Sequence, residues 1–284
     1  LLRLMFKCVH STLLSLCADR RFMGARPGIL SVLHTWGQRL SFHPHIHVCI
    51  SGGGLTPAGK FVETARKGFF LPEAAIASSF RGRFLCALKS LYDSGKLDLS
   101  LTRELESPDG WQDFIDAMFS KQWLPFVKET FNGKGNAVKY LARYSFRTAI
   151  ANSRIVSVDS GQVTFRYKDY SDGSKEKTMA VSGESFVAMF LQHILPPRFH
   201  RMRSAGYLAN CTKVKSLRLI HMLRLTSYCG NPFRKMHVRE LIKLLYGRDI
   251  CICPECRGRL VPYGRGLPAS SIHMFVNDLK TMPK

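Results

Sequence analysis

Three histidines alternate in the segment His43-Pro44-His45-Ile46-His47-Val48-Cys49-Ile50. On an extended strand, residues two apart share a face about 6.6 Å apart. His45 and His47 therefore project together, which supplies half the ligands of a divalent-metal site. His43 and His47 would stand about 13 Å apart on a straight strand, too far to share one ion. The same alternation also fits a strand that simply turns polar side chains to water. Tyr140 and Tyr144 are four residues apart, so on a helix they lie on one face with Cβ atoms about 6 Å apart. That spacing suits two half-buried aromatics packed on a sheet, and equally two phenols offered as nucleophiles. A phenol has a pKa near 10 and attacks poorly at neutral pH, so it gains from a cation that polarises the group under attack.

Such chemistry needs a substrate, and the charge points to one. Lys and Arg number 42 against 20 Asp and Glu, a formal charge of +22. A balance this basic favours a polyanionic partner, nucleic acid first and an acidic membrane surface second. Between Ser185 and Arg239 there is no acidic residue, while Arg198, Arg201, Arg203, Lys213, Lys215, Arg218, Arg224, Arg234, Lys235 and Arg239 all fall there. One sign of charge over so long a stretch favours a phosphate-contacting surface over an ordinary solvated face. No apolar run approaches the roughly 20 residues that span a bilayer, and no secretory signal is visible. The 9 irregularly spaced cysteines fit a reducing compartment better than a disulfide framework. Cys251, Cys253 and Cys256 are spaced like half of a zinc knuckle, with Cys229, His237 or a cysteine outside the chain as a further Zn2+ ligand.

Periodicity supplies the elements that must hold these groups. Apolar residues at helical spacing predict an amphipathic helix over residues 2–18, covering one face of a sheet. Ile29 onward predicts a strand running toward Gln38, and Arg39 to His43 a turn back into the His45/His47 strand: an antiparallel hairpin. Gly52-Gly53-Gly54 ends that strand, either as a plain turn or where another chain approaches closely. Residues 72–95 and 109–119 read as helices, and Trp123 to Lys128 as a strand that Pro125 confines to an edge or bulge. After the Asn132-Gly133 breaker, residues 137–147 form the tyrosine helix. From Arg154 the period changes to two, with turns at Asp159-Ser160-Gly161 and Ser171-Asp172-Gly173: a three-stranded meander. Ser182 then opens a helix.

Several blocks resemble one family. Leu33-His34-Thr35-Trp36-Gly37-Gln38, the His43–His47 segment, Gly52-Gly53-Gly54-Leu55 and Tyr140-Leu141-Ala142-Arg143-Tyr144 resemble the two-tyrosine transposases of rolling-circle insertion sequences, members of the HUH (His-hydrophobic-His) endonuclease superfamily. Phe165 to Tyr170 and Leu195 to Arg201 resemble further family segments in order, so the resemblance spans roughly residues 20 to 215. It implies metal-dependent cleavage and rejoining of single-stranded DNA at transposon ends and target, through 5′-phosphotyrosines on Tyr140 and Tyr144 and a free 3′-hydroxyl, with no nucleotide cofactor. It implies Mg2+ or Mn2+ on His45 and His47, with Gln38 as the third ligand. His34 and His43 are the other candidates for that third place, and Gln38 bonding only to backbone is an open alternative. The imidazole count makes Mn2+ the better chemical match. Lys128, Arg143, Arg147, Arg198 and Arg201 are candidate phosphate contacts, and Phe146, Tyr167 and Tyr170 candidate stacking surfaces for bases.

The expected architecture is α+β: an HUH-endonuclease-like antiparallel sheet with packed helices, a β-meander and a basic helical C-terminal region. The expected domains are a nuclease core over 1–150, the meander and its helix over 151–210, and the basic region over 211–284. The expected location is the bacterial cytoplasm, on the nucleoid when DNA-bound. The chain begins at Leu1 without an initiator Met, as a fragment would, and the resemblance implies a cysteine-rich zinc-binding segment before it. A related replication initiator or relaxase, or a DNA-binding transposase remnant without nuclease activity, are the alternatives.

Overall fold

A computed structural model describes residues 1–64, 71–128, 144–145, 147–226, 236–247, 249–253 and 255–260. The chain divides into two compact units, Leu1–Tyr228 and Cys229–Lys284. In the first, helix α1 (Leu2–Ala18) lies on a four-stranded sheet ordered β3-β2-β1-β7. These strands are β1 (Arg26–Trp36), β2 (Phe42–Leu55), β3 (Phe61–Glu63) and β7 (Met202–Gly206). Leu13 and Cys17 of α1 pack on Ile29, Leu71 and Ala205, with Val48 and Ile50 alongside. Each fully buried aliphatic side chain contributes about 1.5–3 kcal/mol, so this face of the sheet is firmly closed. The opposite face carries the chemistry.

The β1–β2 turn sets the register of that face. Gly37 N–H donates to Ser41 O at 3.0 Å and Leu40 N–H to Gly37 O at 3.2 Å. Leu40 adopts a φ of 58° and is fully buried, packed with Ala149 and Phe165. Burying a leucine there offsets the cost of a left-handed non-glycine residue. From this turn the antiparallel pairing places His34 opposite His45 and Val32 opposite His47.

The glycine run does not end β2. Gly53 and Gly54 pair with Glu63 and Val62 of β3. A Cβ on Gly54 would lie 2.7 Å from Arg26 O, and one on Gly53 2.7 Å from the Phe61 ring. The glycines therefore permit close approach of neighbouring strands, and the strand continues to Leu55. On the other side, β7 closes on β1 where Gly206 (φ 67°) leaves no room for a Cβ against Pro27 O.

Helices α2 (Glu73–Asp93) and α3 (Pro108–Ser120) share a separate core of Leu85, Leu88, Trp111 and Ile115, with Tyr92 stacked on Trp111 at 3.9 Å. The strand expected over Trp123 to Lys128 is not formed: these residues are not in a strand and pair with none of the described residues, and Leu124 and Phe126 are exposed. Pro125 removes a donor that pairing would need. The meander is present as β4 (Ile155–Asp159), β5 (Gln162–Asp169) and β6 (Lys175–Ser182), followed by α4 (Gly183–Leu191), whose N-cap Ser182 accepts from Ser185 N. Helix α5 (Lys213–Leu223) follows β7. The second unit contains helix α6 (Val238–Tyr246) and an Ile252–Arg259 bridge that folds the cysteine segment back on itself. Among the described residues, no helix is long and apolar enough to cross a membrane.

Candidate metal centre and nucleophile

The open face of β1 and β2 gathers three imidazoles. His34 on β1 and His45 and His47 on β2 each offer a ring nitrogen, and these atoms all lie within 4.8 Å of one another. Directly paired antiparallel residues share a face, so the His34–His45 register brings in the third ring. His34 is 2 % exposed, with its ring stacked on Trp36 at 4.6 Å.

Hydrogen bonds fix which nitrogens are available. His34 Nε2 lies 2.8 Å from Tyr144 O, and His45 Nδ1 lies 2.8 Å from His43 O. A carbonyl can only accept, so those nitrogens carry hydrogen, and His34 Nδ1 and His45 Nε2 keep lone pairs. Orienting a ligating imidazole through its other nitrogen is how metal sites fix ring direction and tautomer. Burial pushes the His34 imidazole down to about 4 and His47 to about 3, and lowers His45. The positive charge of Arg147 acts in the same direction on all three. Neutral rings are what a cation requires as ligands. The donor set thus fits a divalent metal, and with three imidazoles and no carboxylate it suits a borderline cation better than a hard one.

Tyr144 stands against this cluster. Its ring centroid is 4.0 Å from that of His47 and 5.9 Å from that of His34. Residues 144–145 are helical, and Tyr144 is only partly buried. Tyr140, Arg143 and Phe146 lie outside the described residues.

Gln38 is engaged elsewhere. Its Nε2 donates to Tyr170 Oη at 3.1 Å, and its Oε1 accepts from Lys168 N at 3.4 Å, tying the hairpin tip to the meander. His34, rather than Gln38, stands beside the histidine pair. Counting back from a turn centred on Arg39-Leu40 places His34 across from His45, and that register was the signal available in the sequence. The same tip is anchored by Arg39 to Asp169 at 3.2 Å, by Arg154 to Gln38 O, and by Gln192 and His193 to Leu40 O.

The expected phosphate contacts separate by environment. Arg147 and Arg198 are exposed, as is Lys128, whose ammonium lies 5.8 Å from the Phe126 ring centre. Arg201 is partly buried and bonded to main-chain carbonyls. Tyr170 is exposed, and Tyr167 stacks under Arg39 at 4.7 Å. In the second unit, amide hydrogen bonds from Cys256 and Glu255 lower the Cys253 thiol. Cys251, Cys253 and Cys256 do not converge as the histidines do, and among the described residues the histidine trio is the one such cluster. Cys229 lies outside the described residues.

Residues 28–215 match the family model Y2_Tnp, described as "Putative transposase". The chain is 36 % identical over 262 residues to "Putative transposase y4qJ" of Sinorhizobium fredii (strain NBRC 101917 / NGR234), covering 91 % of this chain and 66 % of that protein. It is 28 % identical over 252 residues to "Transposase for insertion sequence element IS801" of Pseudomonas savastanoi pv. phaseolicola, covering 86 % of this chain and 58 % of that protein. The chain thus spans less than two thirds of the length of either relative. No solved structure matches it.

Proposed function

This chain belongs to the Y2_Tnp family of putative transposases, and from that premise we propose that it cleaves and rejoins single-stranded DNA through a 5′-phosphotyrosine on Tyr144. The observation that carries this reading is the 4.0 Å approach of the Tyr144 ring to His47, within a cluster of three uncharged imidazoles. His34, His45 and His47 would hold the cation, and Mn2+ suits three imidazoles better than Mg2+. Bound there, it supplies Lewis-acid polarisation of a phosphate oxygen.

The chain's own residues do the rest. Tyr144 Oη forms a new bond to phosphorus as the bond from phosphorus to the 3′-side oxygen breaks. The leaving oxygen takes up a proton and becomes a free 3′-hydroxyl, while the phenolic proton passes to solvent. Because the phosphodiester is exchanged for a phosphotyrosine ester, attack by a 3′-hydroxyl reverses the step without a nucleotide cofactor. Arg147, whose charge reaches all three imidazoles, balances the phosphate's negative charge. Tyr140, one helical turn before Tyr144 in sequence, would be the second nucleophile, holding one strand while the other is opened. In this reading the substrate is a single strand, as the resemblance to two-tyrosine rolling-circle transposases implies. On the same resemblance, the DNA consists of transposon ends and target.

Incubating the full chain with an end-labelled single-stranded oligonucleotide and Mn2+ tests the reading. A denaturation-resistant adduct is expected, absent without metal and absent in the Tyr140→Phe, Tyr144→Phe double variant. Oligonucleotide retention with no adduct would reduce the protein to a DNA binder.

A further inference from the structure

Arg201 sits where a side chain could serve either DNA or the protein itself. Its main-chain carbonyl accepts from Leu33 N at 2.9 Å, immediately before the ligand His34. Its guanidinium reaches the tyrosine segment: Nη2 donates to Ser145 O at 2.5 Å and Nη1 to Arg147 O at 3.3 Å. Both hydrogen-bond partners of the guanidinium among the described residues are main-chain carbonyls. His34 Nε2–H holds the carbonyl of Tyr144 itself, so the carbonyls of Tyr144, Ser145 and Arg147 are all tied back to the sheet. Burial lowers the Arg201 pKa, as expected of a cation committed to the interior rather than to a solvent-facing phosphate site. Arg147 and Arg198 are exposed, and no hydrogen bond joins either guanidinium to a main-chain carbonyl among the described residues.

We propose that Arg201 is a positioning residue, whose two-pronged grip on the Ser145 and Arg147 carbonyls presents the Tyr144 ring to the histidine cluster. The inference rests on the assignment of Tyr144 as nucleophile. A planar fork can hold two carbonyls at once, whereas lysine offers a single ammonium and glutamine a shorter, uncharged amide. Charge alone therefore does not replace arginine here.

The test separates binding from chemistry. Arg201→Lys, Arg201→Gln and Arg147→Gln are compared with the parent chain for half-saturating oligonucleotide concentration and for adduct formation rate at saturating DNA. Folding of each is checked by thermal melting. Each Arg201 variant is expected to bind within about twofold of the parent and to form adduct more slowly on the order of a hundredfold, as small misplacements of reacting groups do. Arg147→Gln is expected to weaken binding as well as slow the adduct, because its charge faces the phosphate, so ring placement is what separates it from the Arg201 variants. A 19F label on Tyr144, as 3-fluorotyrosine, gives an independent reading of ring placement. Its resonance should move toward the free amino acid in Arg201→Lys and stay put in Arg147→Gln. Arg201 variants that lose affinity while keeping the saturated rate would overturn the proposal and make Arg201 a phosphate contact. So would an unmoved resonance with an unchanged rate. Should the parent form no adduct, the phosphotyrosine reading fails by itself, and the label alone then decides whether Arg201 places the ring.

Discussion

Replacing His34 by alanine separates it from Gln38 as the third ligand. It removes one of three imidazoles whose ligand atoms lie within 4.8 Å of one another. Loss of a mere outer-shell partner weakens metal binding by about 10–100-fold, so loss of a ligand should raise the Mn2+ dissociation constant by about a hundredfold or more. The fold should survive. The deleted ring leaves the Tyr144 carbonyl without its 2.8 Å partner and empties a buried site beside Trp36. Together these cost about 2–4 kcal/mol. That is a fraction of the roughly 5–15 kcal/mol by which a domain is stable. It corresponds to a fall in melting temperature of roughly 5–15 °C. Gln38→Ala is the control. It breaks hydrogen bonds to Tyr170 and Lys168 at the surface, costs below about 1 kcal/mol, and should leave Mn2+ affinity within about threefold. Electron paramagnetic resonance of free Mn2+ during titration measures both. If Gln38→Ala abolished binding while His34→Ala retained it, the reasoning from strand register would be wrong.

Three further outcomes follow from the same geometry. Leu40→Ala should cost about 2–5 kcal/mol by denaturant unfolding, because it empties a fully buried position while keeping the left-handed φ of 58°; a loss under 1 kcal/mol would mean the turn is not the anchor. The Asp169 carboxyl is held below its usual range first by the Ser171 hydroxyl and then by Lys177. Its stabilising contribution is therefore complete above the ordinary carboxylate pKa of about 3.9 and fades as pH falls through and below that value. Asp169→Asn should melt lower than the parent at pH 7, and the gap should begin to narrow only below about pH 4 and keep narrowing as the solution becomes more acidic; a gap that does not narrow in acid would contradict this. Arg147→Gln should lower the magnitude of the salt dependence of single-strand binding by about one phosphate contact, and an unchanged slope would remove Arg147 from the interface.

What the sequence made legible was what local periodicity encodes. The meander showed itself through alternation between two clear turns, and Leu2–Ala18 and Glu73–Asp93 through apolar stripes long enough to register. Strands β3 and β7 were not legible, being three and five residues long and defined by partners far away in the chain. Their traces were glycines. Gly53, Gly54 and Gly206 lie where a Cβ would collide with a neighbouring strand, and a glycine run reads as a turn until that neighbour is known. Trp123 to Lys128 failed in the opposite sense, since β-favouring residues around Pro125 found no strand to pair with. At the site, His45 and His47 followed from a spacing of two, but the choice between His34 and Gln38 depended on hairpin register. Arg201 was legible only as a positive charge, because the two carbonyls it holds belong to a segment more than fifty residues earlier.

The central claim is that the imidazoles and the Tyr144 phenol share one pocket. With 3-fluorotyrosine at position 144, one equivalent of Mn2+ should broaden that residue's 19F resonance beyond detection in the parent chain. His47→Ala, which removes a ligand, should restore it. A sharp Tyr144 resonance in the presence of bound Mn2+ would place the metal away from the phenol and contradict the account.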